Sequence, residues 1–203
     1  MKCFKMVRFV GFVFVAILIE IMPCSSDPFP FPTKQEKQLW KAAENGDIKK
    51  VRQLITSGAD VNASQESGYT ALTFAVVWSE SINKLGVAKL LLQSGAKVDP
   101  IVQLTGATPL FYAAKTGNFA LTQLLLKHGA KANARDGDNS VIMWVTEGNT
   151  LEEAKAVKII DLLIKHGADV NAKSSVGNTA LSWAKQNSRL KVARFLVQKG
   201  AKE

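Results

Sequence analysis

The sequence GADVNA stands at residues 58–63 and returns letter for letter at residues 167–172. Weaker copies follow the same pattern, with GAKVDP at 95–100, GAKANA at 129–134 and GAK at 200–202. The first glycines of these five copies are 37, 34, 38 and 33 residues apart. A unit that recurs at this spacing indicates a repeat architecture, in which each unit packs on its neighbours.

Each copy follows an apolar helical pattern, such as VAKLLL at 87–92 or LTQLLL at 121–126. Glycine enters the left-handed conformation without a steric penalty, so each of the five glycines is predicted to end a helix. A second signal then begins another helix: GYTAL at 68–72, GATPL at 106–110, GNTAL at 177–181 and the degenerate DNSVI at 138–142. Its Thr or Ser suits an N-cap, and Pro109 suits the first helical position.

This combination of G-x-T-P-L, an Ala-Ala pair, an apolar second helix and GADVNA resembles the ankyrin repeat. The resemblance covers about residues 34–203 and implies an all-α ankyrin-repeat solenoid of about five helix-turn-helix repeats joined by short loops or hairpins. The family's usual His after Pro-Leu is absent. The five positions hold Trp40, Thr73, Phe111, Met143 and Ser182. Since that position ties the loop to the helix, the loops are expected to be less uniform.

Three segments are predicted along the chain: a signal peptide at 1–26, a proline-rich linker at 27–33 and the repeats at 34–203. The repeats are placed at about 34–66, 67–100, 101–134, 135–172 and 173–203. The first and last are expected to be caps with one solvated side. Polar Lys50 and Gln53 indicate this for repeat 1, and a solvated basic last helix indicates it for repeat 5, with Arg189, Lys191, Arg194 and Lys199.

Two repeats depart from the standard spacing. Repeat 2 has a longer turn between its helices, through residues 78–83, and repeat 4 is longer between Ser140 and Gly167. The sequence TLEE at 150–153 matches a capping box with Thr150 as the N-cap. The second helix of repeat 4 is therefore predicted to start early and to protrude by more than a turn.

The N-terminal segment has the organisation of an export signal. Lys2, Lys5 and Arg8 precede an uninterrupted apolar run at residues 9–19, which is short for a membrane span. Cleavage after Ser26 would release a periplasmic or secreted protein. Lipid attachment at Cys24, giving a protein anchored to the cell envelope, is the alternative, although Pro23 fits that motif poorly. An uncleaved anchor is a third reading.

The cysteine content and the charge of the chain argue against several classes of function for the repeats. Both cysteines, Cys3 and Cys24, lie in the N-terminal segment, so the repeats contain no thiol for a disulfide, for catalysis or for metal binding. The net charge is +9, but lysines occur in every repeat, often beside Asp or Glu. An ordinary solvated surface is favoured over a functional basic surface that binds nucleic acid, anionic lipid or an acidic protein. A membrane contact is expected only through a lipidated Cys24.

The repeats lack a recognisable catalytic or metal-binding set. His128 and His166 each precede a stop glycine, where the helix dipole favours an imidazolium, and this repeated position indicates a structural role. The sequence DGDN at 136–139 lacks the remaining ligands of a calcium loop and is predicted to be a hairpin turn. No catalytic residue, metal site or cofactor is predicted.

One set of positions suits binding. The residue before each Ala-Ala position in repeats 2 to 5 is aromatic: Phe74, Tyr112, Trp144 and Trp183. The resemblance places these first-helix residues on the concave face, with Val77, Lys115 and Glu147 nearby. Packing between neighbouring helices is the competing interpretation, since large apolar residues are common at this position in ankyrin repeats.

The resemblance implies a non-enzymatic module that binds a partner protein on its concave helix and loop face, outside the cytoplasm and as a monomer. The identity of the partner is open. The alternative is a stabilising or chaperone-like accessory of an envelope or periplasmic enzyme.

Overall fold

The computed structural model describes residues 32–77, 83–147 and 151–202. These ranges contain ten helices in five consecutive pairs. The second helix of each pair ends two residues before a stop glycine, and the residue between them is its C-cap. The helices are α1 (Lys34–Asn45), α2 (Ile48–Thr56), α3 (Ala71–Val77), α4 (Lys84–Gln93), α5 (Pro109–Lys115), α6 (Phe119–Lys127), α7 (Val141–Thr146), α8 (Glu153–Lys165), α9 (Ala180–Gln186) and α10 (Leu190–Gln198). The predicted all-α repeat architecture is confirmed.

The pairs stack into two layers. In the first-helix layer, α1, α3, α5, α7 and α9 each pack on the next. In the second-helix layer, α2, α4, α6, α8 and α10 do the same. The apolar residues that recur in every repeat hold the layers together, because burying each of their side chains removes apolar surface from water. They are buried in all five repeats: Leu39, Leu72, Leu110, Ile142 and Leu181 from the first helices, and Leu54, Leu91, Leu125, Leu163 and Leu196 from the second.

The helix ends follow the sequence signals. All five stop glycines have φ between 87° and 89°, in the left-handed region where a Cβ is disfavoured. Thr108 and Thr179 are N-caps whose hydroxyls accept hydrogen bonds from Phe111 N and Ser182 N. Pro109 is the first residue of α5. Ser140 stands at the N-cap of α7 as expected, but its hydroxyl makes no cap hydrogen bond.

Neighbouring repeats are joined by a ladder of asparagines that follow the stop glycines, which we call the asparagine ladder: Asn62, Asn133 and Asn171. Each side-chain amide donates to the carbonyl of the next stop glycine, at 2.9 to 3.1 Å. Each side-chain oxygen accepts from the backbone N–H two residues after that glycine, at 2.7 Å. One Asn side chain thus satisfies the hydrogen bonding of one backbone C=O and one backbone N–H in the next repeat.

In repeat 4 one prediction is confirmed and one is wrong. Helix α8 has 13 residues against nine in α6, and these four extra residues make slightly more than one turn, as expected. The capping box is wrong, because α8 begins at Glu153 with Glu152 as its N-cap; Thr150 itself lies outside the described residues. Leu151, before α8, is buried and packs over Gly117, and Glu152 has non-helical backbone angles (φ −52°, ψ 135°).

Arg189 is the second correction in this region. It was predicted to be solvated, yet it is 4% exposed. Its guanidinium donates to the carbonyl oxygens of Val145 at 2.8 Å and Leu151 at 2.5 Å, on either side of the long connection of repeat 4. Burial lowers the pKa of this guanidinium, which nevertheless remains charged at neutral pH. Lys191 and Arg194, in contrast, are exposed as expected.

Several predictions concern residues outside the described part of the chain. These are the signal peptide at 1–26, most of the linker at 27–33 and most of the longer turn at 78–83. The hairpin at 136–139 is within the described part and is confirmed, with β1 (Arg135–Asp136) paired antiparallel to β2 (Asn139–Ser140). No helix in residues 32–77, 83–147 and 151–202 combines the length and apolarity needed to cross a bilayer.

Candidate functional site

The four aromatic residues singled out from the sequence lie in register on the first-helix layer. Phe74, Tyr112, Trp144 and Trp183 come from α3, α5, α7 and α9, and all four are half-buried. Only Trp144 and Trp183 touch directly, with ring centroids 5.9 Å apart and planes at 85°. Each ring therefore packs on the core with one part and presents another part to solvent.

Two further aromatic residues, which occupy other repeat positions in the sequence, connect this set. Tyr69 lies 5.7 Å from the Phe74 ring, and its hydroxyl is 3.4 Å from that of Tyr112. Phe111 lies between Tyr112 and Trp144, with centroids 5.3 and 5.8 Å away. With them the rings form one continuous line, which we call the aromatic row: Phe74, Tyr69, Tyr112, Phe111, Trp144 and Trp183.

The aromatic row includes a buried ring, that of Phe111, and a hydrogen-bonding phenol, that of Tyr112. Phe111 is fully buried and occupies the position where the family usually has His, so it anchors the row to the core. Burial, and then the hydrogen bond with Tyr69, raise the pKa of the Tyr112 phenol. This phenol is therefore protonated at neutral pH and is available for hydrogen bonding in a partly apolar setting.

The remaining predicted site residues are spread along the same layer. Lys115 is exposed, and its ammonium lies 4.0 Å from the centroid of the Trp144 ring and 5.5 Å from that of Phe111. This cation–π arrangement ties a positive charge to the centre of the row. Val77 is half-buried at the end of α3, and Glu147 is exposed at the end of α7.

Loop tips run beside the row and are bonded to one another. Gln103 N donates to Ser67 O at 3.0 Å, and Gly137 N donates to Thr105 O at 2.6 Å. Ser175 donates to Asp138 from both its backbone N–H and its hydroxyl, and these hydrogen bonds lower the pKa of Asp138. Apolar residues project from two of these tips: Leu104 is 89% exposed and Val176 is 78% exposed.

A groove of about 680 Å³ lies beside the loops between repeats 2 and 4. Asp99, Lys131 and Arg135 are among its polar lining residues. Asp99 stands where the asparagine ladder has Asn in repeats 1, 3 and 4. One of its oxygens accepts from Lys131 N at 3.1 Å, and the other is buried without a hydrogen-bond partner in the described residues.

The histidines occupy the helix ends at which the sequence placed them. His128 and His166 are the C-caps of α6 and α8, and His166 Nδ1 lies 2.9 Å from Leu162 O. Within the described residues, no cluster of three or more His, Cys, Asp or Glu side chains has the arrangement of a metal site.

A comparison of sequences supports the same repeat architecture as the stacked helix pairs, the left-handed stop glycines and the asparagine ladder. A family model described as ankyrin repeats in three copies matches residues 14–102, 39–136, 80–173 and 135–203. The chain belongs to the ankyrin-repeat family. Ankyrin repeats are protein-interaction modules, and the described part of the chain is such a module.

Several curated proteins share these ankyrin repeats. The chain is 34% identical over 98 residues to palmitoyltransferase Hip14 of Drosophila melanogaster, over 48% of this chain and 15% of that protein. It is 28% identical over 169 residues to the ankyrin repeat domain-containing protein SAT10 of Stachybotrys chartarum, over 82% of this chain and 8% of that protein. Human palmitoyltransferase ZDHHC13 is 30% identical over 98 residues. The chain spans only 8 to 15% of these relatives, and the match to the palmitoyltransferases lies in their ankyrin repeats and not in the catalytic domain.

Proposed function

We propose that this ankyrin-repeat protein is a non-enzymatic binding module that holds a partner protein against the aromatic row and the neighbouring loop tips. The observation that carries the proposal is the continuous line of rings, half-buried at five positions and anchored by Phe111. Aromatic side chains that keep a rigid position lose little entropy on binding and are favoured interface anchors. The exposed Leu104 and Val176 extend the apolar surface beyond the helices.

The chemistry of the row favours a partner segment with mixed character. The rings offer apolar contact, the Tyr112 hydroxyl offers a hydrogen bond, and Lys115 offers one positive charge near the centre. Glu147 adds a negative charge on the neighbouring repeat. A partner with an apolar side chain and an acidic group next to it would match this order of groups.

The test is capture of a partner by the full chain from cell-envelope extract, followed by affinity measurements with variants. Tyr112→Ala and Trp144→Ala are each expected to weaken binding at least about ten-fold, the equivalent of ~1.4 kcal/mol. Phe195→Ala is the matched control, because Phe195 is a half-buried aromatic residue of the second-helix layer. Normal binding by folded Tyr112→Ala and Trp144→Ala would show that the row serves only to pack the repeats.

Export from the cytoplasm is part of the proposal. It is supported by Lys2, Lys5 and Arg8 ahead of the apolar run at 9–19. N-terminal sequencing of the native protein should begin near Asp27, and a lipid-modified Cys24 would identify an anchored form. An intact Met1 on a cytoplasmic species would refute export.

A further inference from the structure

The second-helix layer has an exposed surface of a different kind from the aromatic row. We define the outer face as the residues that lie nine, six and two positions before each stop glycine. Helical geometry puts these positions on one side of every second helix. Of these fifteen residues, eight are Lys or Arg and one is acidic. The basic ones are Lys49, Arg52, Lys89, Lys127, Lys158, Lys165, Lys191 and Arg194, and all eight are exposed.

An ordinary solvated surface mixes charges of both signs, and another part of this molecule does so. The loops after the stop glycines carry Lys97, Lys131 and Lys202 together with Asp60, Asp99 and Asp169. The outer face lacks this balance, because its one acidic residue, Asp161, is already bonded to Lys165 and Lys199 at 2.6 and 2.7 Å. The outer face therefore carries an excess of positive charge and not a mixture of both signs.

The first three repeats carry four of these cations and no acidic residue at the outer-face positions. Lys49, Arg52, Lys89 and Lys127 take part in none of the ion pairs found within the described residues. Helices α2, α4 and α6 contain no acidic residue. These four cations therefore form a surface of one sign across three neighbouring helices.

Exposed apolar side chains accompany these charges. Four of the large exposed apolar residues in the described chain belong to second helices: Leu85 at 42%, Phe119 at 41%, Leu190 at 63% and Val197 at 56%. Leu85, Phe119 and Leu190 share one repeat position, ten residues before the stop glycine. Exposed apolar side chains thus accompany the outer face near the N-terminal ends of α4, α6 and α10.

We infer that the outer face binds the surface of an anionic lipid bilayer. Lysines near an anionic leaflet gain electrostatic attraction, and Leu and Phe beside them can enter the boundary between headgroups and acyl chains. Nucleic acid fits less well, because a phosphate backbone offers no apolar region for the exposed Leu85, Phe119 and Leu190 to enter. The aromatic row lies on the other layer, so a partner protein and a bilayer would bind different faces. The inference does not depend on the proposed function.

The experiment is sedimentation of the full chain with phosphatidylcholine vesicles that do or do not contain phosphatidylglycerol. The test variant combines Lys49→Gln, Arg52→Gln, Lys89→Gln and Lys127→Gln. The control combines Lys97→Gln, Lys131→Gln, Lys173→Gln and Lys202→Gln, four exposed lysines outside the outer face that give the same net charge. Both variants retain residues 1–31, so any lipid binding by that segment contributes equally to both.

We expect the test variant to lose at least about 100-fold in partitioning to phosphatidylglycerol vesicles, since each cation near such a surface contributes about a factor of five. The control should lose less than about ten-fold, because its charges act only from a distance. Leu85→Ser with Phe119→Ser should reduce the binding that persists at high salt. Unchanged thermal unfolding of all variants would show that they are folded.

Three results would overturn the inference. Equal losses in the two charge variants would show that net charge alone governs binding. Equal binding of the unaltered chain to vesicles with and without phosphatidylglycerol would show that anionic lipid is not recognised. Tight binding to duplex DNA that the test variant loses, without binding to lipid, would identify the outer face as a nucleic-acid surface.

Discussion

The two edges of the repeat stack are joined in different ways. At the edge after the stop glycines, Asn62, Asn133 and Asn171 make the same two hydrogen bonds to the next repeat. At the opposite edge, where the helices of each pair turn, Arg189 makes a single arrangement found only in repeats 4 and 5 of the described chain. A periodic edge distributes stability over many small contacts, whereas an aperiodic edge concentrates it in one buried group.

Removing the aperiodic contact should have the largest effect. In Arg189→Met, the carbonyls of Val145 and Leu151 lose their donors in a buried place, at a cost of about 3 kcal/mol. Chemical denaturation should show a lower midpoint, and hydrogen exchange should rise in α7 and α8. Arg194→Met, at an exposed position of α10, should change stability by less than about 0.5 kcal/mol. Similar midpoints for the two variants would contradict the structural role of Arg189.

Breaking one rung of the periodic edge should cost less. Asn133→Ala removes two hydrogen bonds, to Gly167 O and from Asp169 N, with an expected loss of about 1.5 kcal/mol. The exposed position allows water to replace part of what is lost. Gln93→Ala, at an exposed position of α4, is the control for removing a polar side chain. An unchanged denaturation midpoint for Asn133→Ala would show that the ladder does not contribute to stability.

The smallest expected effect is a gain. Asp99 fills the ladder position of repeat 2, but a carboxylate cannot donate as the amide does, and one of its oxygens has no partner in the described residues. Asp99→Asn should therefore stabilise the protein by about 1 kcal/mol, measured as a higher denaturation midpoint.

The control for this gain is Asp60→Asn, which changes the net charge equally. Asp60 already accepts a hydrogen bond from Asn62 N at 2.8 Å, so its substitution should not stabilise the protein. Equal gains in the two variants would assign the effect to net charge and not to the ladder.

The sequence predicted the structure correctly at positions where a single residue determines the local backbone conformation. The stop glycines, the Thr caps of α5 and α9 and Pro109 all stand where the sequence placed them, because each depends only on its own turn of helix. The capping box at 150–153 failed because Leu151 is held over Gly117, in another repeat. Its local pattern could not report that contact.

The candidate site shows the same division. The register of Phe74, Tyr112, Trp144 and Trp183 follows from counting residues between repeats, and the structure places all four on one layer. The connections through Tyr69 and Phe111 do not follow from the count, since these residues occupy other repeat positions. A search for every aromatic residue near the Ala-Ala positions would have found Phe111, which is adjacent to Tyr112.

The sequence by itself determined the ankyrin-repeat architecture, the number of repeats and the ends of most helices, because these depend on periodic apolar positions and on residues with restricted or permissive backbones. The tertiary structure alone decided that Arg189 is buried while Arg194 is exposed, although both are basic residues near the last helix. The physical reason is the extra length of repeat 4. Its connection leaves two carbonyls inside the molecule, and the guanidinium of Arg189, from the next repeat, donates to both.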